Sequence, residues 1–580
     1  MAGASEGAGS YTGGSNVPRD YPTSRLNLLT AAGAVLLISL GIARLVPTYA
    51  VSSQNFDEPY HIASGMEWLD KGAYTYGIEQ PPLARVVEAL GLYIAGVRCR
   101  PVQLGRPEAN PILVGLNEEI LAWAEGNAIL YSDGNYWRNL TLARLGALPF
   151  FVLACVGIVL WARRWFTTGT AMWALLLFIS LPPVLAVAGQ ATTDMACAAT
   201  VFIALYQFLR WMDHPDAYRS AILGAALSLA LLSKYSCIPF LGACFAVALV
   251  YFALSKRTEW RKIHWRWRPL CVIAGVAFVL IWAGYRFSFH RIATEHGYDK
   301  TLASISASRP RLGRAFEAMS QIPLPMPELP HGLYMVLHHN QAGHESYLFG
   351  RYRNRGWWYF FPVMVAIKTP IGFLLLSLLG AAAIVWRMDQ SPWRRLTVLF
   401  PVALMLVCMT AQLNLGVRHI LPIYPLMAVL AGHAISISFR GRAKWVLGPI
   451  VVLLAGSVVV DSWIIHPDYM SYFNQLAGSH PSRITVESDM GQDVHRLSQA
   501  LRSLGAKEVA IRINTTAELE KEGLPPFCEI PRYRKISGFV AISDWFFEIS
   551  YAQNKSYGWL RAYTPIQRVG KTISLYRIPE

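Results

Sequence analysis

The sequence predicts a multi-span α-helical membrane protein of about eleven helices, with a large first extracytoplasmic loop and a small C-terminal soluble α/β domain. Three observations carry this expectation. Of the 580 residues, 54% are hydrophobic and only 15% charged, against roughly a quarter charged in soluble proteins. Several apolar runs exceed about 18 residues, the length needed to cross roughly 30 Å of hydrocarbon. Beyond residue 466 the pattern turns to short strands and an amphipathic helix.

Residues 1–25 are rich in Gly and Ser and read as a disordered cytoplasmic tail. The membrane domain is expected over 26–465. Its first span, Leu26–Ala50, reads as a retained anchor, because its apolar core is longer than the roughly 7–15 residues of a signal peptide and no small-residue cleavage site follows. Further spans are expected near 141–162, 170–189, 195–211, 219–233, 236–255, 269–288, 357–385, 396–412, 418–438 and 445–465. With the N-terminus inside, the inner loops hold Arg163 and Arg164, Arg210 and Arg219, the basic run 256–268, Arg387, Arg394 and Arg395, and Arg440, Arg442 and Lys444. All short basic loops then share one side, as the positive-inside rule requires. The long segments 51–140, 289–356 and 466–580 fall on the other. Pro323, Pro325, Pro327 and Pro330 predict an extended, loop-like 289–356.

In 466–580, ITVESDMGQDVHRLSQALRSLGAKEVAIRI predicts strand, amphipathic helix and strand, with Gly505 as the helix stop. KTISLYRI predicts a further strand. The net charge of +16 reflects basic membrane-flanking loops rather than nucleic-acid binding, since no basic stripe with a recognition motif accompanies it. Of eight cysteines, only Cys99 and Cys528 fall in extracytoplasmic segments, and the sequence leaves open whether they pair. No CxxC occurs.

The candidate chemistry concentrates in NFDEPYHIASGMEWLDKGAYTYGIEQPPLAR, Asn55–Arg85. It is polar and acidic, and it follows directly on the first span. Asp57 is either the cap of a helix started by Pro59 or a general base. His61, four residues on, shares its face and could join it at a metal. Glu79 is held at a turn by Pro81 and Pro82, and Arg85 is either a phosphate contact or an interfacial anchor. Asp194 lies at the start of a span, where an acid needs a cavity or a partner. Lys234, Lys368 and Arg418 with His419 stand near outer span ends. They either snorkel or form a cradle for a phosphate. No P-loop, GxSxG, HExxH or GxGxxG motif stands in a supporting context. No nucleotide cofactor is therefore expected, and the substrate itself must carry the energy.

Together these pieces resemble the GT-C superfamily of membrane glycosyltransferases. They are similar to family 39, the dolichyl-phosphate-mannose protein mannosyltransferases, and to the aminoarabinose transferase of lipid A. The matching stretches are DEPYH (57–61), EQPPLAR (79–85), TTDMA (192–196), SKYS (233–236), GWWYFFPVMVAIKTP (356–370), LNLGVRHILPIYPLMAVLAG (413–432) and YFNQLAGSHPSRITVESDMGQD (472–493).

The resemblance implies a GT-C fold and sugar transfer from a polyprenyl-phosphate donor to a lipid, protein or glycan acceptor. It implies Asp57 as catalytic base, supported by Glu58 and Asp194. It also implies that Glu79, with His61 as a further candidate, holds a divalent metal or positions substrate. Gln80 stands where the aminoarabinose transferase has a lysine on the lipid phosphate, so Arg85, Lys234, Lys368 or Arg418 would take that contact. Met490 stands where the family has Trp before GQD. The expected reaction is a single inverting displacement on the periplasmic side of the inner (plasma) membrane. A transporter or flippase is the alternative, but no internal repeat supports it.

Overall fold

The computed structural model describes residues 24–100, 102, 119–254, 267–294, 297–386, 391–440 and 444–580. The expected tail 1–25 lies almost wholly outside the described residues, as do Arg387, Arg442 and most of the basic run 256–268.

Each expected span meets a helix or a bent helix pair. Among the described residues, seven helices are long and apolar enough to cross a membrane, or nine if each of two bent pairs is one span. The helices Ala217–Ser233 and Ile423–Ser438 are apolar but shorter. The protein is thus a multi-pass membrane protein.

One bend corrects the sequence reading. The run expected as a single span over 357–385 is broken into Phe360–Lys368 and Ile371–Trp386, at 114° to each other. Pro370 is the cause: it has no N–H, and it drives the preceding residue out of helical dihedrals. Thr369 is accordingly extended, at φ −111° and ψ 135°. Lys368 therefore sits at a helix end, where its side chain can reach a cavity. A second pair, Thr168–Phe178 and Pro182–Ala188, bends by 67° before its own prolines.

The segment 289–356 is also more ordered than its prolines predict. It contains the helices Tyr298–Ser308, Pro310–Ser320 and Glu328–Ala342, and two short hairpins, Phe289–Arg291 with Pro323–Pro325 and Ser346–Leu348 with Arg351–Arg353. Pro310 and Pro330 fall in first helical turns, where a missing N–H leaves no bond unmade.

After residue 466 a five-stranded sheet forms, in the order Phe527–Glu529, Val509–Arg512, Gly538–Ser543, Ile573–Ile578, Gln567–Val569. The first two pairings are parallel and the last two antiparallel. Alternation sorts its side chains. Val509 and Ile511 pack with Leu497 and Leu501 of helix Val494–Ser503, while Ala510 joins Phe546 of helix Asp544–Asn554 on the other face. The helix ends as read from the sequence, with Gly505 left-handed at φ +62°. The stretch ITVESDM is not the strand its pattern predicts. It is an irregular segment whose Val486, Glu487, Asp489 and Met490 line a cavity.

Small residues let the helices approach. A Cβ on Gly380, in Ile371–Trp386, would collide with the Leu430 carbonyl of helix Ile423–Ser438. Gly380→Val should therefore destabilise the protein by about 1–3 kcal/mol, read as a lowered melting temperature in detergent, whereas the same change at Gly275, with open space around it, should leave it unmoved.

Candidate active site

Pro59 sets the first turn of helix Glu58–Met66, and Asp57 is its N-terminal flanking residue. The capping reading of Asp57 fails on geometry, because its carboxylate makes no capping bond. It instead accepts a 2.5 Å hydrogen bond from Arg418 Nη1, 361 residues away in sequence. The Asp57 side chain is 27% exposed. Burial alone would raise its carboxyl, but the charge of Arg418 and its hydrogen bond outweigh this and hold it below the ordinary aspartate range. Asp57 is therefore ionised at neutral pH.

Its neighbour Glu58 faces the opposite way, into protein. The carboxylate is fully buried and forms a two-pronged ion pair with Arg144, at 2.8 Å on each oxygen. It also accepts the backbone N–H of Asn55 at 2.6 Å and of Ala191 at 2.9 Å. Arg144 donates in addition to the carbonyls of Tyr49, Ser52 and Ser53. Glu58 thus shapes the site without facing it. Sequence reasoning missed Arg144, although a cation inside the apolar run 141–162 was a usable signal.

Asp194 stands in the first turn of helix Thr193–Asp213 and pairs with Lys234 at 2.6 Å, both largely buried. Lys234 is thereby engaged by an acid rather than left free for a phosphate. Asp57 feels the charges of Arg418 and Asp194, and His419 lies in the field of Lys234, Asp194, Arg418 and Asp57. Burial, then the Lys234 charge, keeps His419 neutral, well below its ordinary range.

Arg85 is not the phosphate contact proposed from the sequence. It is fully buried, and it donates to His61 Nδ1 at 3.0 Å, to Tyr74 Oη at 3.2 Å and to the Gly77 carbonyl at 2.6 Å. Its guanidinium also lies 3.8 Å from Glu79 and over the Tyr60 ring. This cation between His61 and Glu79 does not fit a metal ion shared by the two. Burial and Arg85 push the His61 imidazole down to about 3, and its Nδ1 already accepts a hydrogen bond. Among the described residues no group of three or more His, Cys, Asp or Glu is arranged to hold a metal. Glu79 accepts from Tyr60 Oη at 2.8 Å, and Gln80 closes the turn through its backbone N–H to Gly77. Cys99 and Cys528 are both free.

Lys368 does face a cavity. It donates to the Met470 carbonyl at 2.9 Å and lies 3.7 Å from the centre of the Phe473 ring. Arg418 lines the same cavity, with Asn55, Gln190, Asn414 and Glu487 and the apolar Val187, Val417 and Ile549. The segment after 466 supplies one wall and also clamps the catalytic candidate. Met490 and Gln492 accept the backbone N–H groups of Phe56 and Ser53, and Thr516 Oγ1 donates to the Phe56 carbonyl.

Residues 138–282 match the family model of the dolichyl-phosphate-mannose-protein mannosyltransferases. Over those residues the resemblance read from the sequence, to the dolichyl-phosphate-mannose protein mannosyltransferases, is met. Over 110 residues, 18% of the chain, it is 36% identical to the lipopolysaccharide core galacturonosyltransferase RgtA of Rhizobium johnstonii. The chain spans about a fifth of the length of that curated relative. Among solved structures it is similar to ArnT of Cupriavidus metallidurans bound to undecaprenyl phosphate. That match has 14% identity and a TM-score of 0.46, covering 96% of this chain and 98% of that one. The Archaeoglobus fulgidus oligosaccharyltransferase follows, at 13% identity and a TM-score of 0.44, covering 93% and 72%.

Two outcomes are expected from the buried charges. Arg144→Met leaves the buried Glu58 carboxyl without its partner, and should cost about 3–5 kcal/mol, seen as loss of folded protein in size-exclusion chromatography. Glu88, fully buried in helix Pro82–Ile94, has no hydrogen bond on either carboxyl oxygen. Burial raises its carboxyl well above the ordinary range, so at neutral pH folding must protonate a group that is ionised when unfolded. Glu88→Gln should raise the melting temperature at neutral pH, and the gain should vanish as the pH falls to the ordinary glutamate range.

Proposed function

We propose that the protein moves a sugar from a polyprenyl-phosphate donor to an extracytoplasmic acceptor, with inversion and with Asp57 as general base. The observation that carries this reading is the ion pair of Asp57 with Arg418, which itself lines a cavity together with Lys368. It joins an ionised base to two cations of the kind that bind phosphate. The match of residues 138–282 to the mannosyltransferase family supports the same class.

The donor phosphate would lie between Arg418 and Lys368, with its polyprenyl chain among the apolar helices. Asp57 takes a proton from the acceptor hydroxyl or amine as that atom attacks the anomeric carbon. The bond between this carbon and the phosphate oxygen breaks, and the electron pair leaves with the polyprenyl phosphate. Arg418 and Lys368 neutralise the charge that develops on it. Lys234 offsets the charge of Asp194, so that this pair adds no net negative charge beside the phosphate. No nucleotide is needed, because the glycosyl phosphate supplies the free energy. The acceptor is a lipid, protein or glycan outside the plasma membrane.

The test is release of polyprenyl phosphate by purified protein offered polyprenyl-phosphate sugars and cell-envelope acceptors. Asp57→Asn should lower transfer by about 10²- to 10⁴-fold, and transfer at the wild-type rate would refute the assignment. Lys368→Ala should raise the donor KM more than it lowers kcat.

A further inference from the structure

Three carboxyl groups that the proposed reaction leaves unused line the cavity, Glu345, Glu487 and Asp489, and Glu487 is the one that the position of Gly416 makes room for. Glu487 reaches it from the irregular segment that precedes helix Val494–Ser503. Its carboxyl lies against Gly416, whose φ of +99° and missing side chain make the room; a Cβ there would collide with Glu487 Oε2. Glu487 Oε1 is buried and takes part in no hydrogen bond. Two cations share the cavity, but their bonds are made elsewhere: Arg418 to Asp57 and the Leu415 carbonyl, Lys368 to the Met470 carbonyl.

A buried carboxyl oxygen without a partner is unfavourable, unlike the same oxygen bonded to an O–H or N–H. A ligand that brings such a group to within hydrogen-bond reach of Glu487, while its anionic part meets Arg418 and Lys368, would satisfy that oxygen. A glycosyl phosphate has both parts: a phosphate for the cations and ring hydroxyls a few ångströms away. A bare polyprenyl phosphate has only the first.

We propose that Glu487 hydrogen-bonds a hydroxyl of the transferred sugar and is the residue by which the cavity tells a sugar-bearing donor from the spent polyprenyl phosphate. This rests on the polyprenyl-phosphate-sugar reading of the same site. Burial, opposed by Lys368 and Arg418, pushes the carboxyl up to about 8, so near neutrality it can donate as well as accept. An amide can do both too.

The experiment measures binding of two ligands, polyprenyl phosphate and its glycosyl ester, to the full-length protein in detergent by isothermal titration. Mannose and galacturonic acid serve as the esterified sugars. Glu487→Ala should weaken the better-bound glycosyl ester about tenfold and leave polyprenyl phosphate within about twofold. Glu487→Gln should recover most of the loss. An equal loss for both ligands, or no loss for either, would overturn the role of Glu487. Wild-type protein that binds neither ligand would overturn the donor reading itself, and the role of Glu487 with it. Matched melting temperatures of the three proteins separate a binding effect from misfolding.

Discussion

A fully buried carboxylate and guanidinium, Glu58 and Arg144, hold one end of the helical domain together. Two charges in so dry a place are tolerated only when every oxygen and N–H has a partner. Here the partners are backbone groups: three carbonyls of residues 49–53 around Arg144, and the N–H groups of Asn55 and Ala191 around Glu58. Three segments distant in sequence are thereby fixed to each other. They are the end of the first span, the last turn of helix Tyr136–Leu145, which carries Arg144, and the turn before helix Thr193–Asp213. The turn that presents Asp57 is one residue from this anchor, so its direction is set by packing and not by its own flexibility.

The rest of the site follows the same logic at lower burial. Asp57 and Asp194 each have a cation from a remote element, Arg418 and Lys234. Such pairing offsets the carboxylates' charge close to hydrocarbon, where a lone charge would be expensive. It also arranges charge before any substrate arrives, which is how a preorganised site lowers a barrier. His61 and His419 stay neutral because the burial and cations around them disfavour a further positive charge.

The segment after 466 belongs to the site as much as the helices do. Its loop backbone bonds directly to Ser53 and Phe56, and Glu487, Asp489 and Ile549 line the cavity. The departure from strand geometry over ITVESDM is what allows this. A paired strand would use those backbone groups within the sheet and alternate its side chains, whereas the irregular path turns Val486, Glu487, Asp489 and Met490 toward one cavity.

By itself the sequence determined the membrane class, the eleven helical stretches, the acidic segment after the first of them and the helix–strand pair around Gly505. These are local or compositional properties: apolar length, proline position and side-chain period act within one stretch of chain. Asp57, Asp194, Lys368 and Arg418 were legible as candidates because a charge beside an apolar run demands a partner. Only the tertiary structure decided which partner. It paired Asp57 with Arg418 across 361 positions, turned Arg85 inward onto His61 and Tyr74, and gave Glu58 to Arg144. It also brought Glu487 beside Lys368 and Arg418. The reason is physical: the free energy of a buried charge depends on what lies within a few ångströms of it, and chain separation carries no information about that.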